Sequence, residues 1–129
     1  MEIFSIVVLA LSGLLLGFVG VMRLTKPIET YSKNSGVTLA NDVDLLNEIR
    51  GASALMLLGG IIILCGTYVS DIRMISFSIA VLIFIGFLLG RVFSLIQDGK
   101  PNKLIVNGIY SEVVLGGLNL FCLINIINS

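Results

Sequence analysis

Histidine and tryptophan are both absent from the 129 residues, cysteine and proline occur twice each, and charged residues make up only 12%. Each shortage argues against a class of function. Without an imidazole, and with Cys65 and Cys122 far apart and in no CxxC or ligand-like spacing, a zinc site, a His-based triad and a paired-thiol redox centre have no residues to be built from. No metal and no cofactor is expected. Eight basic and eight acidic residues cancel, so no basic excess exists for nucleic acid and no acidic tail is present.

What is abundant is apolar surface. Hydrophobic residues reach 57% and the mean hydropathy is +1.08, whereas soluble domains carry roughly a quarter charged residues. Four apolar runs stand out: Ile3 to Met22, Gly51 to Val69 with a helix-compatible approach from Asp42, Met74 to Ile96, and Leu104 to Ile127. Each has the roughly 20 residues needed to cross about 30 Å of hydrocarbon. Backbone amides in lipid must be satisfied within the segment, and the alternation a barrel requires is missing. The sequence therefore predicts an all-α integral membrane four-helix bundle, up-down-up-down, forming a single transmembrane domain over 1–129. Its helices should cover about 3–22, 42–69, 72–96 and 104–127. The first run has Glu2 as its only early charge and is longer than a signal-peptide core, so it is expected to be a retained helix.

The connections predict the caps. Arg23 to Asn41 is the longest, with Pro27 and the turn-like Asn34-Ser35-Gly36; Asn41 can cap the second helix, and Asp42 and Asp44 suit its first turn. Ser70-Asp71 reads as a tight turn. Gly99 suits a left-handed cap and Pro101 blocks continuation of the third helix. Short links place sequential helices antiparallel.

Loop charges predict orientation. Arg23, Lys26, Lys33, Arg50, Arg91, Lys100 and Lys103 fall at one end, and Arg73 alone at the other. The positive-inside rule then puts both termini outside the cytoplasmic membrane. Tyr68 and Tyr110 sit near helix ends, where interfacial anchors belong. Cys65 and Cys122 lie at similar depth, so a bridge is geometrically open, but two buried apolar thiols are the expected state.

Small residues recur along the helices: Gly13, Gly17 and Gly20; Ala52, Gly59 and Gly66; Gly86 and Gly90; Gly108 and Gly116. They suit close helix packing within the bundle, or a homo-oligomer interface.

Any chemistry rests on the few charges. Arg50, Arg91 and Glu112 fall toward the same leaflet, and helical spacing puts Asn47 beside Arg50, Ser94 and Asp98 beside Arg91, and Gly116 and Asn119 beside Glu112. Charges within a membrane usually face the bundle interior and pair. Three readings are open. Arg50 or Arg91 pairs with Glu112 and pins helix register; or the same residues line a polar pocket for an amphiphile with an anionic or polar head; or the arginines snorkel to the headgroups. Phe84, Phe87 and Phe93 could wall such a ligand or simply pack. A membrane enzyme using Glu112 and Asp98 as acid and base is an alternative, although it needs one carboxyl unpaired beside two arginines. A small transporter or a subunit of a larger membrane complex are further alternatives.

Several motifs together also carry a resemblance: Gly20 to Arg23, Pro27, Asn34-Ser35-Gly36, Asn47-Glu48-Ile49-Arg50-Gly51, Gly90-Arg91 with Ser94, Asp98-Gly99 with Pro101-Asn102, and Glu112 with Leu115-Gly116 and Asn119. Over nearly its whole length the chain resembles a family of small bacterial four-helix membrane proteins catalogued as domain of unknown function 4345. The most specific part is the run from Gly90 to Asn102. A fainter likeness to the DoxX-like membrane proteins rests on architecture alone. The resemblance implies the fold and a bacterial inner membrane, and it points to the same polar residues without supplying an activity. The expected ligand-contacting set is Asn47, Arg50, Arg91, Ser94, Asp98, Asn102, Glu112 and Asn119, the expected partner a membrane lipid or other amphiphile, and no catalytic residue is assigned.

Overall fold

A computed structural model describes residues 1–129 as five helices and no strand: α1 (Glu2–Thr25), α2 (Pro27–Ser35), α3 (Val43–Tyr68), α4 (Arg73–Asp98) and α5 (Lys103–Ile127), with a 3-10 turn at Ser70–Ile72. The four long helices are apolar enough to cross a membrane, and each extends about 36–39 Å. Only 23 of 129 residues are buried, and the exposed surface carries Leu14, Phe18, Leu55, Leu82, Leu89 and Ile96 among many others. Water would not tolerate so much contiguous apolar surface on a monomer; lipid requires it. The chain is a multi-pass membrane protein.

The connection expected over Arg23 to Asn41 contains an additional helix. Pro27 takes the first position of α2, where its missing N–H costs nothing. Thr30 Oγ1 donates to Met22 O (3.0 Å), tying α2 to the end of α1, and Lys33 pairs with Glu29 at 3.0 Å one turn away. That hydrogen bond and the charges of Lys33 and Lys26 hold the Glu29 carboxyl below the usual glutamate range. Gly36 closes the helix in the left-handed region at φ 64°. With nine polar-rich residues α2 is too short to span, and it lies across the basic end of the bundle, touching the end of α1 and the start of α5.

Two predicted caps differ in detail. Asp42, not Asn41, is the N-cap of α3 and accepts from Asp44 N at 3.2 Å. Gly99 has a positive φ of 97° but an extended ψ of −172°, so the chain leaves α4 without the left-handed turn.

Contacts run in opposite sequence directions between neighbouring helices, Gly13 with Gly60 and Gly20 with Leu57, then Gly59 with Ile83 and Gly66 with Ser76, then Arg91 with Glu112 and Phe84 with Gly116. Sequential spanning helices are therefore antiparallel. The closest pair is α1 with α3: a Cβ on Gly60 would sit 2.7 Å from Gly17 N, and one on Gly20 2.7 Å from Leu57 N. Backbone meets backbone there, which lets dispersion hold two helices that no hydrophobic force drives together in lipid. Further along α3, Gly59 and Gly66 turn chiefly to Ile83 and Ser76 of α4, with Leu9 of α1 also close to Gly66. The core is filled by Leu9, Leu16, Ile63, Phe77 and Phe84. Against α4 and α5, by contrast, α1 packs only sparsely. Both cysteines are free; Cys122 is buried as expected, but Cys65 is exposed on the lipid-facing side of α3.

Candidate functional site

One charge pair is held inside the spanning region. Glu112 stands nine residues into α5, about 14 Å from its start, and Arg91 stands at matching depth on α4. Arg91 Nε donates to Glu112 Oε2 at 3.1 Å and lies 2.6 Å from Oε1. The N–H is directed at Oε2, so Oε1 is close to the positive charge yet buried without an aligned donor. Glu112 is 10% exposed at its side chain and Arg91 29%. Neither Nη of Arg91 donates a hydrogen bond within the protein.

A second guanidinium completes the wall. Arg23, in the last turn of α1, stacks over the Tyr31 ring of α2 at 4.7 Å. It has no carboxylate within salt-bridge reach and donates to no protein acceptor. It lines the same cavity as Glu112.

Between these residues lie two half-open cavities. The first, about 150 Å³, is bounded by Leu16, Val19 and Arg23 of α1, Met56 of α3, Phe84, Phe87 and Arg91 of α4, and Gly108, Ser111 and Glu112 of α5. The second, about 380 Å³, lies beneath α2 and is lined by Arg23, Tyr31, Ser35, Phe87, Gly90, Arg91 and Ser94 among others. Arg23, Phe87 and Arg91 belong to both. A third, apolar groove of about 660 Å³ runs on the lipid side between α3 and α4, past Leu55, Leu58, Gly59, Ile79 and Leu82, and shares Met56 with the first cavity, Gly86 with the second and Phe87 with both. Small residues make the room. A Cβ at Gly86, Gly90 or Gly108 would meet nothing within 4 Å, so these glycines open space instead of closing helices together.

The structure thus brings Arg91 and Glu112 together, with Ser94 at the cavity under α2, and sends the other expected residues elsewhere. Arg50 does not join the cluster. It is exposed and its Nη1 donates to Leu24 O at the end of α1. The reason is the set of orphan carbonyls at a helix C-terminus, which a cation on the next helix can satisfy. Arg73 does the same at the other end, donating from Nε to Gly66 O at 2.9 Å. Asn102 caps α5 by accepting from Ile105 N at 3.0 Å, and its Nδ2 donates to Ser35 O at 2.8 Å, tethering α2. Asp98 is exposed and accepts from Ser94 Oγ at 3.2 Å within α4, so it is not paired with Glu112 for acid-base work. Asn47 is exposed and makes no side-chain hydrogen bond within the protein. Asn119 is fully buried and donates to Ser12 Oγ (2.8 Å) and Leu115 O (2.8 Å), joining α5 to α1 deeper in the bundle; its Oδ1 has no donor. Phe84 and Phe87 line the first cavity, whereas Phe93 is 65% exposed on the outside.

The residue that sequence reasoning passed over is Arg23, read as a loop base. A signal was present: Leu9, Leu16 and Gly20, all buried, form a stripe on α1 that continues at helical spacing to Arg23. Tyr31 had no such signal, because its helix was not expected.

The family described as Domain of unknown function (DUF4345) matches residues 4–123, and the chain belongs to that family. No curated protein and no solved structure matches it.

Proposed function

We propose that this DUF4345 protein binds the anionic head of a membrane amphiphile between Arg23 and Arg91, with the apolar chain along the α3–α4 groove. The observation that carries this reading is a pair of guanidinium groups with unspent donors on the wall of an open cavity. Arg23 uses none of its N–H groups within the protein and Arg91 uses only Nε. Guanidinium forks match carboxylate and phosphate oxygens two at a time, and such charge-assisted bonds are about twice as strong as neutral ones. Around the charges the walls are apolar, as ligand sites generally are. Phe87 stands where both cavities meet the groove, so a head and a chain can be held on either side of one aromatic ring. The basic end is read as cytoplasmic, which would put the head in the inner leaflet.

The sealed pair of the alternative reading is less well supported. A purely structural Arg91–Glu112 bridge accounts for neither the unpaired Arg23 nor the glycines that border empty space. A catalytic pair of carboxylates has no support in the geometry, since Glu112 is paired with Arg91 and Asp98 is exposed and bonded to Ser94.

Gly90→Leu tests the reading without touching a charge. The new side chain meets no backbone and grows into the cavity under α2. Lipids co-purifying with the protein in mild detergent would be extracted and weighed by mass spectrometry. Wild type should retain anionic lipid and Gly90→Leu should lose it while remaining folded by circular dichroism. Equal lipid content in the two proteins would sink the proposal.

A further inference from the structure

The charges lining the site narrow the chemistry of its ligand. Arg23 and Arg91 contribute +2 and Glu112 −1, so the first cavity carries a formal charge of +1. Tyr31, Ser35 and Ser94, on the cavity beneath α2, add hydroxyls but no charge. Asp98, the carboxylate beyond Ser94, and Arg50 are exposed, and so are Lys26, Lys33, Lys100 and Lys103. None of them lines either cavity, and exposed charges act through water, where even a close pair interacts only weakly. We infer that the site selects singly charged anionic heads, a phosphodiester or a carboxylate, over doubly charged phosphomonoesters. The inference rests on the head-binding reading above.

Two considerations converge on it. A monoanion brings the lining to neutrality, whereas a dianion leaves one negative charge uncompensated at membrane depth, where water is scarce and lone charges are costly. Glu112 supplies the discrimination. It lines the cavity beside Arg91, so a second negative charge on the ligand would lie next to a carboxylate that already occupies one of the two guanidinium groups.

The test uses the full chain in nanodiscs of phosphatidylcholine at about pH 9, far enough above a phosphomonoester's second pKa of about 6 to allow for the rise at a membrane surface. Phosphatidylglycerol, palmitate and phosphatidic acid are added in separate arms, and retention on the washed protein is compared with phosphatidylcholine. Phosphatidylglycerol or palmitate should be retained at least about tenfold over phosphatidic acid, because desolvating the second charge costs more than a singly charged lining returns. The better of the two identifies the head as phosphodiester or carboxylate, and either supports the inference. Glu112→Gln raises the lining to +2 and should shift the preference toward phosphatidic acid by a similar factor. Should that variant not fold, Arg23→Gln serves instead. Arg23 has no ion pair to lose, and at zero net charge the variant should no longer prefer phosphatidylglycerol to phosphatidylcholine. Phosphatidic acid bound as well as phosphatidylglycerol by the wild type would overturn the charge selection while leaving an anion site. No anion preferred over phosphatidylcholine would overturn the head-binding reading itself.

Discussion

Glu112→Gln and Arg91→Gln remove the two halves of the same ion pair, yet they should not cost the same. Breaking a well-buried pair by removing one partner typically costs about 3–5 kcal/mol, because the other charge is left uncompensated. Glu112 is 10% exposed and Arg91 29%, so the upper part of that range does not apply. Removing Glu112 leaves Arg91 and Arg23 as two like charges around one cavity with no carboxylate between them. Removing Arg91 leaves Glu112 on the cavity it shares with Arg23, whose guanidinium has no carboxylate partner and can turn toward it. We therefore expect about 3 kcal/mol for Glu112→Gln and about 1–2 kcal/mol for Arg91→Gln. The double variant Arg91→Gln with Glu112→Gln should be milder than Glu112→Gln alone, since no uncompensated pair of cations remains. Reversible unfolding in mixed micelles, followed by circular dichroism and analysed as a double-mutant cycle, measures all three. If Arg91→Gln were as costly as Glu112→Gln, Arg23 would not be acting on the carboxylate and the three-residue account of the site would fail.

Arg50→Ala should cost about 1–2 kcal/mol by stripping a charge-assisted donor from the end of α1, and it should leave lipid retention unchanged; loss of retention would return Arg50 to the site. Gly60→Leu should destabilise the fold by several kcal/mol, because its side chain would run into the backbone at Gly17 and Gly13. In the same unfolding assay Gly108→Leu should cost much less, as nothing stands within 4 Å of its Cβ position, and comparable losses would refute the close seam. For orientation, a cysteine at Ser129 should react with an impermeant thiol reagent on intact cells and one at Lys100 should not, in a Cys65→Ala background; the reverse pattern would invert the topology.

The spanning helices were legible in the sequence because their cause is local. A backbone amide in lipid has no water to bond, so a run of about 20 apolar residues is helical whatever its neighbours do. That Glu112 would meet Arg50 or Arg91 was an expectation with a related reason, plainest for Arg91 and Glu112. Each is the only charge within its apolar run, helix lengths fix their depths, and leaving either toward lipid is expensive. Arg50 and Arg23 mark where that reasoning ends. Both lie near the same end of the bundle, and only the rotation of each helix about its axis decides which guanidinium meets Glu112. That rotation is set by the partner helix. Packing Gly20 against Leu57 and Gly60 against Gly17 turns Arg23 to the cavity and leaves Arg50 beside Leu24 O, an acceptor that exists only because α1 ends there. The glycines divide in the same way: Gly20 and Gly60 close a seam while Gly90 and Gly108 open a cavity. In the sequence they are the same residue at similar spacing, because a glycine records where a side chain is missing and only the neighbouring helix determines what fills the space.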